Sequence, residues 1–236
     1  DDKVIPIIEH SDVKRMLLAS KSYAEGSLAL CLYCSKLVDE VNNVDSQKLL
    51  SLLTPVAKTF PAEFGLLAND LAIQVHGGYG YTRDFDVEQL YRDNRLNPIH
   101  EGTTGIQSLD LLGRKIIGDS GESLKIFTKR VLKTCDQAIQ INLKSDASYL
   151  LEVMKNLERV CDILINSKDN NTLANSSAFL TGFGHIVVGW LWLDMAIVAL
   201  SQKDEDQNVQ SFLNGKIATS RYFFECELPK ADMLLN

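Results

Sequence analysis

The sequence predicts an all-α protein, an antiparallel helical bundle followed by a second helical domain, on three observations. Apolar residues recur at spacings of three and four along nearly the whole chain, which places them on one face of a helix. No stretch shows the every-second-residue alternation of a half-buried strand. Clusters of Gly, Pro, Asn and Asp punctuate the periodic runs, and Gly118-Asp119-Ser120-Gly121 is the clearest break. That break divides the chain into residues 1–117 and 122–236.

The elements follow in order. Pro6 to Ser11 reads as a leading loop, with Ser11 or Asp12 available as N-cap. A long helix over 13–42 follows from Val13, Met16, Leu17, Leu28, Cys31, Leu32, Leu37 and Val41. Cys31 and Cys34 form a C-x-x-C inside this pattern, and no second pair follows at zinc spacing, so both are read as core packing. After a turn at 42–45, Ser46 caps a second helix that Pro55 is expected to kink or end. Pro61 opens a third helix running to His76, where Gly77 and Gly78 stop it. A short helix over 86–93 and a fourth bundle helix over 102–117, with Ile106, Leu109, Leu112 and Ile116 on one face, complete the first unit.

Four more helical patterns follow, over 122–143, 147–166, 172–200 and 208–228, with residues 203–207 as a solvated connector. Residues 178–200 are apolar enough to raise the question of a membrane span. They contain His185 and Asp194 and lack a basic N-terminal flank, so a buried central helix is the reading. Trp190 and Trp192 are expected to pack on neighbouring helices, and His185 is expected to be a satisfied core histidine.

Composition narrows the function classes. The chain is 236 residues long, 45% hydrophobic and 23% charged, as in soluble globular proteins. A net charge of −7 without a Lys/Arg cluster argues against a nucleic-acid surface. Five cysteines, an odd number in a helix-rich chain, argue against a disulfide framework and for a reducing compartment, cytoplasmic or another such as the mitochondrial matrix. Asp1-Asp2-Lys3 and the short apolar stretch after it show no signal-peptide pattern. No metal-ligand spacing is present.

Chemistry concentrates in residues 74–114. The glycine pair past a helix end lets backbone approach a ligand with φ > 0. The Gly- and Thr-rich start of the next helix leaves N–H groups that favour a phosphate or pyrophosphate. Both devices suit a nucleotide. Between them stands Glu101, a carboxylate of the kind used as a general base, whose structural alternative is to complement the helix dipole.

Gln74-x-x-Gly77-Gly78-x-Gly80-Tyr81, then Tyr91-Arg92-Asp93, then Ile99-His100-Glu101-Gly102-Thr103-Thr104-Gly105-Ile106-Gln107 resemble, in order and spacing, the C-terminal signature of the acyl-CoA dehydrogenase family. The following Leu109 to Lys115 is similar to the longer branch, which appends another helical domain. The resemblance implies that the chain is the C-terminal portion of an enzyme that oxidises an acyl-CoA to the 2,3-enoyl-CoA with FAD. It implies Glu101 as catalytic base. Gln74, Gly77 and Gly78 would reach the adenosine and pyrophosphate of an FAD held by a neighbouring subunit, and Thr103 would contact the cofactor on the other side. A homodimer or tetramer and electron-transfer flavoprotein as electron acceptor go with it. His100 stands where many members have Tyr. Two alternatives stay open: a non-catalytic helical assembly module, and a related flavoenzyme using oxygen as acceptor. Taken alone, this portion is expected to be inactive.

Overall fold

The computed structural model describes residues 4–202 and 206–235, and every regular element among them is helical. After a 3-10 turn at Ile7–Glu9, α1 (Ser11–Asp39) and α2 (Val44–His76) form a helical hairpin. The N-cap of α1 is His10, which makes no side-chain cap bond, and Asp12 instead pairs with Arg15 at 2.8 Å. At the start of α2 the cap is Asn43, whose side chain accepts the Ser46 N–H at 3.1 Å, while the Ser46 hydroxyl bonds the Glu40 carboxylate. Asn43 takes the capping role because the helix begins two residues before Ser46.

The expected break at Pro55 and restart at Pro61 does not occur. Both prolines lie inside the continuous 33-residue α2. An interior proline costs a helix about 3 kcal/mol through a lost hydrogen bond and a steric clash. Against that stand Leu49, Leu52, Leu53, Val56 and Phe60, all buried around Pro55. Burial of such side chains stabilises by about 1.5–3 kcal/mol each, so packing overrides local propensity.

The buried face of α1 also differs from the expected stripe. Leu28 and Leu32 are 59% and 62% exposed and Cys31 is exposed, whereas Met16, Ala19, Tyr23, Leu30, Cys34 and Leu37 are buried together with Ser22, Gly26 and Ser27. Small size decides this face. A Cβ on Gly26 would lie 2.6 Å from Val188 Cγ1, and the Trp192 indole N–H donates to the Ser22 carbonyl at 3.2 Å.

Helix α2 ends where the sequence predicts, at Gly77 with φ +63°, and the chain continues as a 3-10 turn over Gly77–Tyr81 into α3 (Val87–Asn94). The next helix begins later than 102. Thr103 is the N-cap of α4 (Thr104–Leu109), which runs directly into a π-helical stretch, Asp110–Ile117. The wider π turn rotates the apolar face, burying Leu111, Leu112 and Ile116 and leaving Ile106 and Leu109 exposed. Residues 118–121 form a tight turn in which the Asp119 carboxylate accepts the Gly121 N–H at 3.0 Å and the Ser123 N–H at 2.9 Å.

Helices α5 (Glu122–Gln140), α6 (Lys144–Asn166), α7 (Ser176–Ser201) and α8 (Gln207–Tyr222) follow. Residues 203–205 of the expected connector lie outside the described residues, and Asp206 caps α8 by accepting the Asn208 N–H at 2.8 Å. The last expected helix, 208–228, is α8 followed by a π-helical stretch, Phe223–Glu227; past its expected end a further helix, α9 (Pro229–Leu235), begins with Pro229 at the first helical position. Helix α7 is long and apolar enough to cross a membrane, but most of it is buried among the other helices. Trp190 donates to Thr134 Oγ1 at 2.8 Å and meets Tyr33 edge-on, so one hydrophobic core runs through both sequence halves.

One buried polar cluster sits beside α7. Glu227, 2% exposed, receives Lys230 Nζ at 2.6 Å and the Tyr222 hydroxyl at 3.3 Å. His185 donates from Nδ1 to the Thr181 carbonyl at 2.8 Å, but its Nε2 stops 3.8 Å from Glu227 and has no hydrogen-bond partner among the described residues. The expectation of a satisfied core histidine therefore holds for one ring nitrogen only. Burial pushes the Glu227 carboxyl upward, but His185, Lys230 and Tyr23 outweigh it and hold the group below the usual range.

This packing has two measurable consequences. A group whose pKa is depressed by folding lends stability above its unfolded pKa, about 4.3 for Glu, and loses it as pH falls through the folded value. Glu227→Gln should lower the melting temperature at pH 7 and flatten its decline between about pH 5 and 3, read by circular dichroism. An unchanged acid limb would show that other carboxylates govern it. In the glycine turn, a Cβ at Gly80 would lie 2.6 Å from the Ile73 carbonyl oxygen, while one at Gly78 meets nothing within 4 Å. Gly80→Ala should therefore lower the melting temperature by several degrees and Gly78→Ala should leave it unchanged; equal effects would contradict the turn geometry.

Candidate functional site

Glu101 stands just outside α4 in a left-handed conformation, φ +53°, followed by Gly102 at φ +93°. For a residue with a Cβ this backbone costs on the order of 1–2 kcal/mol, so neighbouring contacts have to hold it. The Glu101 carbonyl accepts from Gln107 Nε2 at 3.4 Å, and a Cβ on Gly102 would come within 2.7 Å of that same nitrogen. The Thr103 hydroxyl oxygen accepts the Ile106 N–H at 3.5 Å. Thr104 donates its hydroxyl to the Glu63 carboxylate on α2. One turn on, the buried Ser108 hydroxyl reaches the Gly105 carbonyl at 2.8 Å and the hydroxyls of Ser176 and Ser177 on α7 at 3.1 and 3.2 Å. The exposed Glu101 side chain thus projects from a backbone pinned to two long helices.

Gln74, Gly77 and Gly78 lie elsewhere, at the exposed C-terminal end of α2. The Gln74 carbonyl accepts the Gly77 N–H. Residues 63 and 74 are roughly 16 Å apart along the helix at 1.5 Å per residue. The structure therefore sets the five candidate residues in two places: Glu101 with Thr103, and Gln74 with the glycine pair. At Gly77 and Gly78 a Cβ would meet nothing within 4 Å, so the backbone is bare to a group laid against it from outside. That fits contact with the phosphates or adenosine of FAD at a rim, with no enclosing pocket.

Two grooves lie between these places. One, about 540 Å³, is walled by Val56, Phe60, Phe64 and Leu180, with Glu63 and Thr104 on its rim. Thr59 is 5% exposed in its wall, and its hydroxyl has no hydrogen-bond partner among the described residues. The other, about 580 Å³, shares Asp70 and Tyr91 with the first and carries Arg83 and Arg92. None of the five candidate residues lines either groove. Glu63 and Ser108 were missed by sequence reasoning, since an isolated acidic residue and a serine inside helical patterns carry no local signal. The described residues include no cluster of His, Cys, Asp and Glu able to hold a metal ion.

Residues 2–117 match the family model described as acyl-CoA dehydrogenase, C-terminal domain, and residues 127–236 match the one described as acetyl-CoA dehydrogenase C-terminal like. The chain is 32% identical to the 3-methylmercaptopropionyl-CoA dehydrogenase of Ruegeria pomeroyi, over 93% of this chain and 39% of that protein. It is 31% identical to the broad-specificity linear acyl-CoA dehydrogenase FadE5 of Mycobacterium tuberculosis, over 97% of this chain and 41% of that protein. The chain thus spans about two-fifths of the length of these relatives. Its fold superimposes on Caenorhabditis elegans ACDH-11, solved in complex with C11-CoA, with a TM-score of 0.76 at 24% identity, covering 97% of this chain and 38% of that one. An FAD complex of an acyl-CoA dehydrogenase from Bacillus anthracis gives 0.64 at 19% identity, covering 99% and 43%. With both halves matching in order and the same all-α architecture, the chain belongs to the acyl-CoA dehydrogenase family, whose C-terminal domains it matches.

Proposed function

We propose that this chain is the C-terminal helical part of an FAD-dependent acyl-CoA dehydrogenase that oxidises an acyl-CoA to the 2,3-enoyl-CoA, with Glu101 as the base. The observation that carries this reading is the Glu101 backbone, held left-handed by Gln107 and by the anchoring of Thr104 on Glu63. A conformation that costs energy and is held from several sides at an acidic residue is what a positioned catalytic group requires. The names of the relatives, dehydrogenases of acyl-CoA thioesters, support the substrate class.

In this reading the Glu101 carboxylate takes the α proton, and the pair of electrons left at Cα forms the new double bond as hydride leaves the β carbon. FAD, when bound, supplies the acceptor for that hydride. Thr103 flanks the cofactor from this chain, and Gln74, Gly77 and Gly78 lie against an FAD held by a neighbouring chain. A cofactor shared between chains goes with a homodimer or tetramer. Electron-transfer flavoprotein as acceptor and a reducing compartment complete the proposal. The family-model boundaries on either side of residues 118–126 support two sequence units.

In the full-length protein, Glu101→Gln keeps the size of the side chain but cannot accept the proton. FAD content should be unchanged while bleaching of the flavin by acyl-CoA slows by ~10²-fold or more. Near-parental bleaching would place the base elsewhere. The isolated chain should bind FAD weakly by titration, because a rim contact leaves most of the cofactor uncovered while its ordering is still unfavourable. Stoichiometric flavin on the purified chain would contradict this.

A further inference from the structure

Glu63 has no ion-pair partner among the described residues. A half-buried carboxylate on a largely apolar groove loses hydration without recovering it from a cation, so its own placement does little for stability. What it does make is a charge-assisted bond to the Thr104 hydroxyl, a type about twice as strong as a neutral one. Thr104 is the first residue of α4, and only Gly102 and the cap Thr103 separate it from Glu101. Four residues further along, on the same helix face, Ser108 is fixed to Ser176 and Ser177 of α7. With α4 held at Ser108, the bond to Glu63 sets where the helix begins, and with it where the left-handed Glu101–Gly102 backbone points.

We propose that Glu63 is a positioning residue for the base, acting through Thr104 to fix the backbone of Glu101. The proposal rests on the reading of Glu101 as base. Displacement of a reacting group by about 1 Å typically lowers the rate by ~10²-fold, so loss of this tether belongs in the rate of the chemical step and not in substrate affinity.

The test uses the full-length protein with FAD and a saturable acyl-CoA, read by stopped-flow bleaching of the flavin. Glu63→Leu and Thr104→Val should each lower the limiting rate by about 10- to 100-fold, with half-saturation and FAD content unchanged. The double variant should be no slower than either single one, because both remove the same bond. Glu63→Gln keeps an oxygen that accepts the Thr104 hydroxyl and should stay within about threefold of the parent. Independently of the flavin, a glutamate-specific protease should cut after Glu101 faster in Glu63→Leu and in Thr104→Val than in Glu63→Gln, read by mass spectrometry. Thr104→Val is close in size to the parent residue and guards against misfolding of the leucine variant. Parental rates in Glu63→Leu and Thr104→Val, multiplicative losses in the double variant, or a Glu63→Gln variant as slow as Glu101→Gln would each overturn the proposal, the last by making Glu63 itself the base. A Glu101→Gln variant that bleaches normally would instead overturn the underlying reading.

Discussion

A helix as apolar as α7 has to be covered along most of its length, and helices can approach it closely enough only where small residues meet it. Gly26 on α1 lets Val188 and Trp192 come against the α1 backbone, and Gly189 on α7 itself lets Phe223 and Leu228 close from the other side. Ala19, Ser22 and Ser27 line the same face of α1. The bulky Leu28 and Leu32 are turned outward for the same reason, since a leucine at the Gly26 position would hold the helices apart. The demand to enclose one helix therefore fixes the rotation of its neighbours, against the ordinary ranking of hydrophobicity.

The same demand reaches the candidate site. Ser176 and Ser177 begin α7, and Ser108 bonds to both, so the helix that carries the Glu101 motif is registered to the most buried element of the protein. Both π-helical stretches lie at such junctions. At Asp110–Ile117 the extra residue per turn brings Leu111, Leu112 and Ile116 into the core behind the motif. At Phe223–Glu227 it turns a carboxylate inward, where Lys230 and Tyr222 satisfy it. Widened turns are individually less favourable than α-helical ones, and they persist here because side-chain placement on the inner face outweighs backbone regularity.

Helix existence was legible in the sequence because a spacing of three and four residues is a direct consequence of 3.6 residues per turn. Helix continuity was not. Pro55 and Pro61 are local signals, and the leucines and phenylalanine that hold α2 together through them act by tertiary contact. The choice of face on α1 was illegible for the same reason, as was the π-helical widening at Phe223–Glu227. In the candidate site, Glu101, Thr103 and the glycine pair could be picked out because their order and spacing form a motif. The left-handed backbone at Glu101, and the tie from residue 104 back to residue 63 that supports it, join positions 41 residues apart and leave no pattern in the sequence.

The exposure of Glu101 has its own physical meaning. A carboxylate that takes a proton from carbon works best where water is excluded, and this chain contributes the backbone geometry but not the cover. Gln74, Gly77 and Gly78 are likewise bare at a helix end. Position and cover are separable requirements, because orientation is set by hydrogen bonds inside one chain while desolvation is set by whatever surface is laid against it. The internal contacts of Gln107, Glu63 and Ser108 meet the first requirement. On the proposed reading the second is left to surfaces outside this chain, which spans about two-fifths of the length of its relatives. On that reading, a base rigidly held before its cover arrives needs no reordering, which is the advantage of placing it on a helix start tied to the core rather than on a free loop.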